Sequence, residues 1–148
     1  MTKFANVGER ILLTLWVGGM WAIGFLAAPT LFATLDDRQL AGELAGKLFK
    51  LIHGIGLFAA CALLVFMVIE HGRTILKFWR AWVVFTMAVF VAIGLFVLQP
   101  EMAALKQSGL AEGSEAAASF SRLHSASSGL YTLTCLLGLA IVAFPNRK

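Results

Sequence analysis

Four stretches of the chain contain no Asp, Glu, Lys or Arg: Ile11–Leu35, Leu51–Ile69, Ala81–Gln99 and Leu123–Asn146. Each reaches or exceeds the roughly 18 residues that mark a bilayer span. The 148 residues fit one domain. Hydrophobic residues make up 59% of the chain and charged ones only 14%, well away from soluble domains. The pattern predicts an all-α integral membrane protein, a four-transmembrane-helix bundle with spans at about 9–33, 38–70, 79–99 and 115–144.

The apolar run of the first block is too long for the h-region of a signal peptide, and three spans follow it. A retained first helix is expected. The net charge of +4 does not point to nucleic acid, because the basic residues sit at span ends and form no separate patch. Cys61 and Cys135 both fall inside apolar spans, so each reads as a small buried side chain and not as half of a disulfide.

The chain also repeats itself. Pro29 and Pro100 are 71 positions apart, and so are His53 and His124. The chain holds only three prolines and three histidines, so these matches carry weight. Phe25, Ala33, Gly42, Ala45 and Phe49 meet Phe96, Ala104, Gly113, Ala116 and Phe120 at the same offset. We read two tandem two-helix repeats, about 9–71 and 79–144, related by a pseudo-two-fold axis along the membrane normal. In each repeat the proline, Pro29 or Pro100, is expected to close the first helix. His53 and His124 then lie at one depth near the outer end of the second and fourth helices.

Local signals fill in the rest. Asp36 or Asp37 is a plausible N-cap for the second helix. Its first turns carry Leu40, Leu44, Leu48 and Leu51 as an apolar stripe, against Glu43, Lys47 and Lys50. Gly72 stops that helix. Trp79 and Trp82 fit a headgroup belt. Gly24 and Ala28 form a small-xxx-small pair that invites close packing. A short helix is expected over Glu101–Gln107. With both termini cytoplasmic, the inner side holds Lys3, Arg10, Arg73, Lys77, Arg80, Arg147 and Lys148, and the outer side Arg38, Lys47, Lys50, Lys106 and Arg122. This bias predicts N-in, C-in.

His53 and His124 are the leading site candidates, because an ionisable group within a membrane is costly and usually faces the bundle interior. Two imidazoles could share copper or zinc, or ligate a haem. They could instead hydrogen-bond neighbouring helices. Ser121, His124, Ser128, Tyr131 and Cys135 fall on one helical face, with Ser128 and Tyr131 expected to line a cavity. Gly56 and Ala60 on the second helix would leave room for a ligand or for close packing. His71, on the basic loop, reads as solvated. Met20, Met67, Met87 and Met102 show no regular spacing, which favours packing over a thioether track. No phosphate loop, nucleophile elbow or zinc-protease motif occurs, which argues against soluble-type enzyme chemistry. The lipid bilayer is the expected partner. A homo-oligomer and a subunit of a membrane complex both remain open.

The segments WVGGMWAIGFLAAPTLFATLDDRQLAGELAGKLF (Trp16–Phe49) and FSRLHSASSGLYTLTCLLGL (Phe120–Leu139) resemble an uncharacterised bacterial four-helix membrane family. That family is related to a eukaryotic transmembrane protein associated with cisplatin resistance. The resemblance implies an integral inner-membrane protein with no established activity. More distantly the layout is similar to copper-resistance proteins of the CopD type and to HemJ-type proteins, where histidines hold haem. By that analogy His53 and His124 would be the ligands.

Overall fold

A computed structural model describes residues 3–111 and 113–144, with side chains from Val7 onward. Arg147 and Lys148, which entered the orientation reading, lie outside the described residues, as does the Lys3 side chain. The elements run α1 (Lys3–Trp21), a π-helical segment (Ala22–Ala27), α2 (Ala28–Thr34), α3 (Arg38–His71), a 3-10 stretch (Gly72–Lys77), α4 (Trp79–Ile93), a second π-helical segment (Gly94–Leu98), α5 (Gln99–Gln107) and α6 (Glu115–Ala143). They join into four helices long and apolar enough to cross a membrane: Val7–Thr34, Arg38–Lys77, Trp79–Gln107 and Glu115–Ala143. The chain has the make-up of a multi-pass membrane protein.

The prolines act differently from the expectation. Pro29 does not close the first span, which continues to Thr34, and Pro100 does not close the third, which continues to Gln107. A proline in a helix lacks its N–H and crowds the carbonyl four residues back. Here each proline is preceded by a widened turn. The Ala28 amide bonds the Ile23 carbonyl and the Gln99 amide bonds the Gly94 carbonyl, five residues back in both cases. Thr30 adds a side-chain bond of 2.7 Å to the Leu26 carbonyl. Local π geometry and Ser/Thr hydroxyls are what allow a membrane helix to carry a proline and continue.

The other boundaries follow their local chemistry. Asp37 caps α3, its carboxylate accepting from the Gln39 amide at 2.8 Å and the Leu40 amide at 3.1 Å. Ser114 caps α6, accepting from the Ala117 amide at 3.1 Å. Gly72 ends α3 with φ of 51°, a conformation that favours glycine. Trp82 is exposed and donates to the Leu76 carbonyl.

Each span packs against the next, and the fourth returns to the first. Spans 1 and 3 are therefore diagonal, as are spans 2 and 4. Trp16, Met20, Leu63, Val84, Met87, Val91, Cys135 and Ile141 are almost wholly buried at the centre. Leu15, Leu26, Phe58, Ile69, Phe96 and Phe144 point outward, as suits a lipid surround. The first turns of α3 bury Ala41 and Ala45, and the expected stripe is only partly used: Leu40 and Leu51 are exposed. The Phe32 ring lies against Gly42. Cys61 is exposed on the outside of its span, contrary to the buried reading, whereas Cys135 is buried.

Candidate functional site

One level of the bundle draws a side chain or backbone group from every span. Tyr131, on α6, donates a hydrogen bond of 2.6 Å to the Met20 carbonyl at the end of α1. Its ring lies over Gly24 in the first π segment, where an added Cβ would come within 2.5 Å of Cε1. His53, on α3, meets the same tyrosine edge to face, with ring centroids 5.7 Å apart. The other side of His53 lies against the second π segment, its Nε2 3.3 Å from where a Gly94 Cβ would stand. Phe49, one turn before His53, makes a second edge contact with Tyr131 at 4.9 Å. The two widened turns thus each receive one ring, and the rings touch.

His53 is 7% exposed. Its Nδ1 is buried and closes no hydrogen bond among the described residues. The indole nitrogens of Trp16 and Trp21 share that condition. Trp16 fills the notch at Gly56, so the small residues of α3 serve close packing at that point. A buried polar atom without a partner costs on the order of 1–3 kcal/mol, so a group held this way marks a site worth explaining.

His124 stands differently. It is exposed on α6 and stacks on Phe120 at 6.0 Å, and the Lys106 ammonium lies 5.4 Å from the centre of that Phe120 ring. The two histidines thus occupy unlike surroundings. The predicted stripe on α6 divides along the helix: Ser121, His124 and Ser128 are exposed, while Tyr131 and Cys135 are buried. Ser128 therefore does not share the interior position of Tyr131. His71 is half-buried and tied down, facing the Met67 carbonyl at 3.2 Å and the Phe78 ring at 4.0 Å.

Met20, Met67, Met87 and Met102 are all buried, in keeping with the packing role expected of them. Sequence reasoning missed two features. Gly94 receives His53, a contact no local pattern announces. Glu9 and Arg80 form an ion pair of 2.8 Å, largely buried, between the inward faces of spans 1 and 3. The last had a usable signal: these opposite charges are 71 positions apart, the offset that aligns the prolines.

Among the described residues no three His, Cys, Asp or Glu side chains gather as a metal site. No curated protein and no solved structure matches the chain. Residues 11–111 match a family described as a domain of unknown function, a stretch that includes His53, Gly24 and Gly94 and ends before His124 and Tyr131. The chain belongs to this family, DUF4149.

Proposed function

We propose that the protein binds a metal ion or metal compound and moves it within the membrane, with His53 as its interior ligand and His124 as an outer point of capture. The observation that carries this reading is the His53 ring, buried between Tyr131 and Gly94 with an unpaired Nδ1. Ionisable side chains at such positions mark ion or substrate pathways. The same core buries Met20, Met87 and Cys135, one soft donor each from spans 1, 3 and 4. Thioether and thiol sulfur favour copper(I) over harder ions. A closed zinc site needs four ligands of the His, Cys or carboxylate kind, which this core does not assemble. A haem with His53 and His124 as axial ligands fits less well. Gly94 and Tyr131 already occupy the space beside the His53 ring, and His124 is on the exposed part of α6.

The arrangement of spans is part of the proposal. A two-helix unit was duplicated, giving a pseudo-two-fold axis along the membrane normal with both termini inside. The π segments before Pro29 and Pro100 and the Glu9–Arg80 pair at the same offset support this. The basic stretch Arg73–Lys77 between the second and third spans supports its orientation in a plasma membrane.

The test is metal content after loading purified protein with copper(I) in mild detergent and removing excess metal. Wild type should hold about one copper per chain, as the single buried histidine implies. His53→Ala should weaken binding by at least roughly tenfold, and His124→Ala should slow loading with a smaller loss at equilibrium. A wild-type protein that emerges metal-free, or a His53→Ala variant that binds as well, would sink the proposal and leave a structural or accessory membrane subunit.

A further inference from the structure

A groove of about 640 Å³ runs along the outside of α3, lined by Lys47, Lys50, Leu51, Gly54, Ile55 and Phe58. It lies apart from His53. These residues recur every three or four positions, so they share one face of the helix. The groove crosses a chemical boundary. Lys50 is the last charged residue before the uncharged stretch Leu51–Ile69. Below the lysines, Leu51 is 60% exposed and Phe58 72% exposed, with Gly54 open between them. A Cβ added at Gly54 would meet no atom within 4 Å. Lys47 is engaged by Glu43 at 2.8 Å. Lys50 closes no ion pair among the described residues.

We infer that this groove is a binding site for an anionic phospholipid. The phosphate sits at Lys50, and an acyl chain lies in the notch at Gly54 between Leu51, Ile55 and Phe58. Charge and hydropathy select this occupant together. A cation at the end of a membrane span attracts anionic headgroups, and the apolar floor beneath accepts hydrocarbon. A second copy of the chain fits worse, because two-fold pairing through this face would bring the same unpaired lysine toward its equivalent. A zwitterionic lipid would fill the floor but gain less from Lys50.

The test uses the full-length protein in mild detergent, offered equal amounts of phosphatidylglycerol and phosphatidylcholine, with retained lipid read by native mass spectrometry. Phosphatidylglycerol should be retained about fivefold over phosphatidylcholine, the weight of one lysine near anionic lipid. Lys50→Gln should bring that ratio close to one. Gly54→Leu should reduce retention of both lipids, with helical circular dichroism and the lipid-free melting point unchanged. Lys50 is exposed, so its variant keeps the test decisive even if Gly54→Leu folds poorly. Equal retention of the two lipids by wild type, or an unchanged ratio in Lys50→Gln, overturns the inference. Inorganic phosphate displacing the lipid at equal concentration would also overturn it, since the acyl groove would then contribute nothing. So would a wild-type dimer that Gly54→Leu dissociates.

Discussion

Glu9 and Arg80 are 71 positions apart in the chain and meet as an ion pair of 2.8 Å between diagonal spans. The same offset aligns Pro29 with Pro100 and His53 with His124. Residues at matching positions of two repeats can touch only where they lie close to the axis that relates them. The proposed duplication therefore puts that axis between Glu9 and Arg80. The pair also accounts for two charges held largely out of solvent, because each neutralises the other where a lone charge would be costly.

Breaking this pair should be costly, and exchanging it should not. Arg80→Ala leaves the Glu9 carboxylate unpaired and is expected to destabilise the protein by about 3 kcal/mol, at the lower end for a buried pair. The double exchange Glu9→Arg with Arg80→Glu should recover most of that loss. Thermal unfolding in detergent measures both. An Arg80→Ala variant that melts with wild type would show that the pair contributes nothing.

Tyr131→Phe removes the hydrogen bond to the Met20 carbonyl and keeps the ring over Gly24. Hydrogen bonds between membrane helices are weak in net terms, so a loss of about 1 kcal/mol is expected. Denaturant titration of the detergent-solubilised protein should resolve it. The variant should keep wild-type helical content, since ring packing is preserved.

The glycines should rank by what a methyl group would meet. Gly24→Ala drives a Cβ to within 2.5 Å of Tyr131 and should destabilise by roughly 1–3 kcal/mol. Gly94→Ala meets His53 at 3.3 Å and should cost less. Gly18→Ala meets nothing within 4 Å and should be neutral or stabilising. Melting temperatures in one detergent would give the order, and a reversed ranking would contradict the packing described around Tyr131.

The cap of α3 separates two adjacent aspartates. Asp37→Ala removes the acceptor for two amides and should cost about 1 kcal/mol. Asp36→Ala removes no such bond and should melt with wild type. Hydrogen exchange at Gln39 and Leu40 should quicken only in the first variant.

The sequence alone was enough for the number of spans, for the stop at Gly72 and for a cap at one of the two aspartates Asp36 and Asp37; the structure chose Asp37. Charge-free length, caps and turns are local properties that a lipid solvent enforces at each segment separately. It also singled out His53 and His124, because a histidine stands out in so apolar a chain. Their fates were not legible there, since burial depends on which neighbouring span covers a face. Tertiary structure set His53 against Tyr131 and Gly94 while leaving His124 beside Phe120. It carried the helices past both prolines by widening the turns before them. It also brought Glu9 to Arg80 and gathered Met20, Met67 and Met87 into one core. These outcomes depend on residues far apart in sequence approaching one another. They are decided by the packing of four helices, which no single span encodes.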